Sequence, residues 1–118
     1  MRIALIQTNP VIGDFSRNCE NILEWVNAAV KDRCGLAVFP ELTLCGYPPQ
    51  DLLERNDFLR AHDSHLRELI SKIKGIKVIL GAIEKRSGPG KQLYNTAIVI
   101  EDNRIVCRAR KQLLPTYD

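Results

Sequence analysis

The sequence has 118 residues, of which 45% are hydrophobic and 26% are charged, and its formal net charge is +3. This composition is that of one ordinary globular domain, and such a mild charge says little about partners. No stretch approaches the roughly 20 apolar residues of a membrane span, and no signal peptide is visible at the N-terminus. We therefore expect a cytoplasmic protein without a membrane segment.

The first third of the chain has the pattern strand, helix, strand. Residues 2–8 are nearly continuously apolar, as in a strand covered on both faces. Ser16 can cap a helix that runs from Arg17 to about Lys31, with apolar residues at a period of 3.6. Gly35 then precedes a second apolar run, Leu36 to Phe39. A parallel pair of strands is the default arrangement for such a unit.

A carboxylate follows the second strand. Pro40 cannot donate to a sheet ladder, so the strand should stop there and present Glu41 at its carboxyl end. Open α/β sheets bind ligands at that edge, which makes Glu41 a candidate general base. A solvated glutamate at the start of a loop is the alternative.

The middle of the chain predicts a second helix and a third strand. The helix covers about Asp57 to Lys74, and the strand covers Lys77 to Ile83. His62 falls on the apolar stripe of the helix, three residues before His65. Two histidines at this spacing can share a metal, but without a nearby third ligand the pattern favours helix packing. Glu84 ends the third strand, on what we expect to be the crevice side.

The last third predicts a β-hairpin, after a flexible loop at residues 87–90. Strands at Leu93–Glu101 and Arg104–Arg110 flank Asp102-Asn103, a common two-residue turn. Strict alternation along the final strand would place Ile105 and Lys111 on one face, while the arginines meet water. An inward lysine needs an anionic partner or a shifted pKa, and a glutamate from another strand end would serve. The basic cluster in this strand favours a solvated strand face over a nucleic-acid site.

The four cysteines do not form a C-x-x-C pair, and without an export signal we expect reduced thiols. Cys45 lies four residues after Glu41, where it could be a nucleophile. A free cysteine is more often a small buried hydrophobe, and we favour that interpretation.

Several motifs together resemble the nitrilase (carbon–nitrogen hydrolase) superfamily, which uses a Glu-Lys-Cys triad. They are Phe39-Pro40-Glu41-Leu42, Arg110-Lys111-Gln112-Leu113-Leu114-Pro115, the opening strand with Gly13-Asp14 and Asn18, and Tyr94-Asn95-Thr96-Ala97. The resemblance implies the N-terminal portion of an α-β-β-α sandwich, an α/β fold. We expect a mixed sheet of about five strands and two main helices. It also implies that Glu41 is the general base and that Lys111 stabilises the oxyanion and the thiolate.

The string Gly46-Tyr47-Pro48-Pro49-Gln50-Asp51-Leu52-Leu53 is similar to the glutaminase domains of glutamine-dependent NAD synthetases. This resemblance implies that Tyr47 and Tyr117 line a glutamine pocket, although aromatic packing would explain both tyrosines. It implies a supporting role for Glu84. It places the nucleophilic cysteine beyond Asp118, so residues 1–118 would be a truncated glutaminase domain, which we expect to be inactive alone.

The same resemblance implies glutamine as substrate, a C-terminal synthetase domain in the same polypeptide, and a homo-oligomer. ATP and Mg²⁺ would belong to the synthetase domain, and no metal or other cofactor is expected in this segment. No nucleic acid or membrane partner is expected. Two alternatives stay open: a nitrilase-family amidase or carbamoylase acting on another small amide, and a catalytically inactive truncated product.

Overall fold

The computed structural model describes residues 1–85 and 93–111 and shows one mixed sheet with both main helices on one of its faces. The strand order is β1-β2-β3-β4-β5; the first three strands are parallel and the last three form an antiparallel meander. The predicted α/β fold with two helices and five strands is therefore confirmed. The strands are β1 (Ile3–Leu5), β2 (Leu36–Val38), β3 (Lys77–Lys85), β4 (Leu93–Glu101) and β5 (Arg104–Arg110), and the helices are α1 (Phe15–Lys31) and α2 (Asn56–Ser71), with a short 3-10 helix at Gln50–Glu54.

The first strand is shorter than the sequence pattern predicts. Among the described strands it pairs with β2 alone, and the ladder lasts as long as β2 does, with a final bond from Ile6 N–H to the Val38 carbonyl at 2.9 Å. The expected cover on both faces is also wrong for the described chain, because Ile3 and Leu5 are 51% and 76% exposed. The short length of β2 therefore limits the length of β1.

The start of α1 also differs from the expectation. Asp14 is the N-cap: its Oδ1 accepts the N–H of Arg17 at 3.3 Å, and Phe15 is the first helical residue. The predicted cap, Ser16, lies inside the first turn, where its hydroxyl lies 3.4 Å from Nε2 of His65 on α2. The cap therefore lies two residues earlier, because the preceding turn at Gly13 places the Asp14 carboxylate against the open N–H groups.

The hairpin turn between β4 and β5 caps α2. Asp102 and Asn103 both have positive φ, as a two-residue hairpin turn requires, which confirms the predicted hairpin. The side-chain amide of Asn103 donates to carbonyls at the end of α2, those of Ile70, Ser71 and Ile73, at 2.8 to 3.2 Å. The amide adds to the backbone bonds that close the helix, such as the one from the Ile73 N–H to the Ile70 carbonyl at 3.3 Å, and the turn thereby fixes α2 relative to the meander.

Register divides the sheet into a covered face and an open face. Side chains of paired residues lie on the same face, and Ala37, Val78 and Ile100 share the face that packs against the helices. The covered face and the helices form the hydrophobic core, with Ile22, Val26, Leu69, Ile73, Leu80 and Ile98 among its buried members. On the other face no helix of the described residues packs over the sheet, and we call this the open face; it carries Ile3, Leu5, Leu36, Val38, Ile79, Ala97, Val99, Cys107 and Ala109.

His62 satisfies a backbone group that the early end of β2 leaves unpaired. Beyond Val38, β3 continues with no described strand paired on that side, and the N–H of Ile83 donates to Nε2 of His62 at 3.1 Å. Nδ1 of the ring therefore carries the proton and lies 3.0 Å from the carboxylate of Asp63. Because His62 is fully buried and its Nε2 is occupied by a backbone N–H, the packing interpretation is the better one. No group of three or more His, Cys, Asp or Glu side chains in the described residues could hold a metal.

None of the helices in residues 1–85 and 93–111 is long and apolar enough to cross a membrane.

We predict that the segment comprising residues 1–118, expressed alone, self-associates through the open face. An uncovered apolar sheet face of this kind drives association in water. Light scattering after size exclusion should show oligomers or aggregates, and Leu5→Lys should shift them towards monomer. Glu24→Lys, at an exposed position on α1, is the control. A monodisperse monomer that melts cooperatively would contradict the prediction.

We also predict that the free energy of unfolding decreases as the pH is lowered, because of His62. Burial lowers the pKa of His62 below its ordinary value, so the unfolded chain binds a proton more readily than the folded one. The contribution is therefore fully present above the ordinary histidine pKa and is lost as pH falls below it, by at most about 1.4 kcal/mol per pH unit. Denaturant unfolding of a folded protein that contains this segment, between pH 8 and pH 5, measures it.

His62→Gln should be less stable at pH 8 and should lose part of that pH dependence. The matched change His65→Gln should keep it. An unchanged slope in the His62 variant would contradict the assignment.

Candidate active site

Glu41 is positioned by a crossing of two backbones. The chain turns away from the sheet at Pro40, just after β2, and the Glu41–Leu42 peptide passes directly over Gly81 of β3. A Cβ at Gly81 would lie only 2.9 Å from the carbonyl carbon of Glu41, closer than real Cβ contacts allow. Leu42 takes a positive φ of 51° at this crossing. Glycine at position 81 is therefore a condition for the position of the Glu41 carboxylate.

The loop after Glu41 is held by buried hydrogen bonds. The Thr43 hydroxyl donates to the Pro40 carbonyl, and the Gly13 N–H donates to the Cys45 carbonyl at 2.9 Å. Asn18, buried in α1, donates to the Leu44 carbonyl at 2.9 Å and also binds both backbone groups of Val11. These bonds join the turn before α1 to the loop and keep Glu41 at the end of β2.

The strand that ends at Lys111 contains a β-bulge, which the alternating sequence pattern does not predict. Ile100 pairs with Ile105 and Val99 pairs with Cys107, so Val106 is an extra residue in β5. The predicted shared face of Ile105 and Lys111 is therefore wrong: Ile105 turns towards the helices. Cys107, Ala109 and Lys111 lie on the open face.

The carboxylate of Glu41 and the ammonium of Lys111 form an ion pair across the cleft. Nζ of Lys111 lies 3.3 Å from Oε1 of Glu41, and the two side chains are 46% and 45% exposed. The lysine is thus half exposed rather than buried, but the anionic partner expected for it is present. A pair this exposed stabilises a fold by about 1 kcal/mol at most, so stability alone does not account for it.

Asn95 of β4 contacts both members of the pair. Its side-chain Nδ2 donates to Oε1 of Glu41, and its carbonyl accepts the backbone N–H of Lys111 at 2.9 Å. Asn95 was recognised in the sequence only as part of a motif. Its parity with the open-face residue Ala97 would have placed it on this side of the sheet.

These groups line a cleft of about 370 Å³ at the carboxyl end of β2. Its floor is apolar, from Ile79, Gly81, Ala97 and Ala109, and its polar groups include Glu41, Asn95 and Lys111. A carboxylate in such a cleft can accept and return a proton, and an adjacent ammonium can stabilise a developing oxyanion. The geometry therefore suits attack on a small amide or ester carbonyl.

The other residues predicted for the site are not brought to this cleft in the described part of the chain. Tyr47 lies half exposed in the loop six residues after Glu41 and is not among the described residues that line the cleft. Tyr117 lies outside the described residues, as does the predicted loop at residues 87–90. Their roles stay predictions.

Glu84 lies on the opposite face of the sheet from Lys111, because its register partner is Tyr94. Its carboxylate binds Arg108 at 2.7 Å and lies 3.5 Å from Arg110. The expectation that the arginines of β5 simply meet water is therefore wrong for these two, and Arg110 also stacks over the Tyr94 ring at 5.2 Å. The structure brings Glu84 to arginines rather than to the Glu41–Lys111 pair, and its supporting role stays a prediction.

Cys45 is a core residue. It has no exposed surface, its Sγ lies 3.3 Å from the Gly46 carbonyl, and burial raises the pKa of its thiol to about 12. A thiol in this state is not a nucleophile at neutral pH. Cys19, Cys34 and Cys107 are also absent from the described lining of the cleft.

Residues 2–118 match the carbon-nitrogen hydrolase family. The chain belongs to this family. It is 37% identical over 119 residues to a glutamine-dependent NAD(+) synthetase of Thermotoga maritima, covering 99% of this chain and 20% of that one. It is 38% identical over 122 residues to the enzyme of the same name from Synechocystis, covering 98% and 22%. The chain thus spans about a fifth of the length of these relatives.

Two solved structures of similar proteins have the same fold. A glutamine-dependent NAD+ synthetase from Acinetobacter baumannii superimposes with a TM-score of 0.84 at 31% identity, over 98% of this chain and 22% of that one. An amidase from Nesterenkonia superimposes with a TM-score of 0.80 at 22% identity, over 99% and 44%. The second likeness shows the fold alone.

We predict that Cys45 does not react in the folded protein. Its burial and raised pKa should protect it from iodoacetamide at pH 8. Mass spectrometry of tryptic peptides should find Cys45 unmodified in native protein and modified after denaturation in urea. The half-buried Cys19, whose pKa is raised to about 11 by burial, is a comparison within the same sample. Rapid native labelling of Cys45 would contradict its place in the core.

Proposed function

We propose that this chain is the N-terminal part of the glutaminase domain of a glutamine-hydrolysing NAD synthetase and supplies its general base and its cationic group. The observation that carries the proposal is the contact between Glu41 and Lys111, which come from the ends of different strands and meet in one cleft. The three relatives described above at 31–38% identity are glutamine-dependent NAD synthetases, which supports glutamine over other small amides as the substrate.

The nucleophile in this proposal is a cysteine from another part of the intact polypeptide. No cysteine is found among the described residues that line the cleft, and the only thiol in the Glu41 loop is buried. The open face of the sheet is the side on which Glu41 and Lys111 meet. Chain that packs against this face would both cover its apolar residues and bring a thiol to the pair.

The reaction then follows from the two side chains. Glu41 takes the thiol proton, and the sulfur attacks the side-chain carbonyl carbon of glutamine. The ammonium of Lys111 stabilises the resulting oxyanion. Collapse of the tetrahedral intermediate breaks the C–N bond, and the proton held by Glu41 leaves with the nitrogen as ammonia. A thioester remains.

The second half of the reaction, hydrolysis of the thioester, uses the same two side chains. Glu41 takes a proton from water, and the hydroxide formed attacks the thioester carbon. Collapse releases glutamate, and the proton returns to the departing sulfur. In the intact enzyme the ammonia would pass to a synthetase domain that uses ATP and Mg²⁺ to amidate deamido-NAD. This division of labour separates glutamine hydrolysis from synthesis with free ammonia.

In the intact enzyme we predict that Glu41→Gln and Lys111→Met each abolish most glutamine-dependent synthesis but leave ammonia-dependent synthesis unchanged. Loss of a general base costs about 10²–10⁴-fold and loss of an oxyanion donor about 10²–10³-fold. Steady-state assays with glutamine and with ammonium chloride measure both activities. Exposed residues of α1 offer matched controls, Glu24→Gln and Lys31→Met, which should behave as wild type.

Loss of both activities together in the Glu41 and Lys111 variants would indicate a folding role instead. Glutamine turnover that survives both substitutions would contradict the proposed function.

A further inference from the structure

The two oxygens of the Glu41 carboxylate have different surroundings. Oε1 accepts from Nδ2 of Asn95 and from Nζ of Lys111. Oε2 receives no hydrogen bond from the described residues. A carboxylate bound in this way cannot rotate about its terminal bond without breaking two contacts, one of them charge-assisted.

Asn95 is itself held by the strands around it. It pairs with Ile83 in the β3–β4 ladder, and its carbonyl accepts the backbone N–H of Lys111. One residue therefore connects Lys111 through its main chain and Glu41 through its side chain. The distance between the base and the ammonium thus depends on the position of Asn95 in the sheet.

A side-chain amide suits this position better than another polar group. Nδ2 can only donate, so it binds a carboxylate oxygen, and it carries no charge that would compete with Lys111 for the oxyanion. An aspartate there would place a second carboxylate against Glu41. A leucine would have nearly the same shape and no donor.

Resting on the proposed function, we propose that Asn95 is a positioning residue for the hydrolysis of glutamine. It occupies Oε1 of Glu41 together with Lys111 and thereby reserves Oε2 as the atom that takes the thiol proton and later the water proton. Asn95 acts through Glu41 and does not itself touch the reacting atoms.

The test is the kinetics of Asn95→Leu and Asn95→Asp in the intact enzyme, with Asn27→Leu at an exposed position of α1 as the matched control. A misplaced base costs about 100-fold, so kcat for glutamine hydrolysis should fall by about that factor, with KM changed less than about threefold. Ammonia-dependent synthesis and the melting temperature should stay close to wild type. Asn27→Leu should leave all four quantities unchanged.

A double-mutant cycle separates positioning from a general structural role. Because Asn95 acts through Glu41, Asn95→Leu should have little further effect when Glu41 is already Gln. Additive losses would overturn the proposal, as would a wild-type kcat in both Asn95 variants. If Leu at position 95 prevents folding, Asn95→Asp carries the test.

The outcomes also distinguish this inference from the proposed function. If Glu41→Gln loses glutamine hydrolysis and Asn95→Leu does not, only the inference about Asn95 fails. If Glu41→Gln keeps full activity, the proposed function fails first.

Discussion

The passage of one backbone over another determines where the carboxylate of this site lies. Pro40 ends β2 after three paired residues, while β3 continues for several more, so the departing chain must cross the face of β3. It can do so closely because Gly81 has no side chain at the crossing. The rest of the site, including the contact between Glu41 and Lys111, depends on Glu41 lying directly above β3.

The early end of β2 has a second consequence on the side of the sheet that faces the helices. Among the described strands it leaves the N–H of Ile83 without a partner, and His62 of α2 accepts that hydrogen bond from a fully buried position. Since an unsatisfied buried N–H costs about 1–3 kcal/mol, the histidine is a structural requirement of the same strand end that presents Glu41. The end of β2 therefore determines both the position of Glu41 in the site and the need for His62 in the core.

The place of Glu41 could be predicted from the sequence because it depends on a local rule. A proline stops a strand, and a residue just beyond it lies at the sheet edge. The alternation pattern correctly places Lys111 on the same face as Cys107 and Ala109. It wrongly places Ile105 there too, because the bulge at Val106 reverses the face of Ile105 and no local signal reveals the bulge. Glu84 was expected at the crevice because it ends a strand, but its face is set by the register with Tyr94, which is a property of the assembled sheet. The role of Asn95 depends on the same register.

We propose that Glu41 and Lys111 form one half of a hydrolytic site whose other half packs on the open face. The most direct measurement is a crystal structure of the intact polypeptide with a glutamine analogue that alkylates thiols. We expect a modified cysteine within contact distance of both Glu41 and Lys111, on the open face and with Oε2 of Glu41 directed towards its sulfur. A modified cysteine elsewhere, or a separation of Glu41 from Lys111 across the sheet, would contradict it.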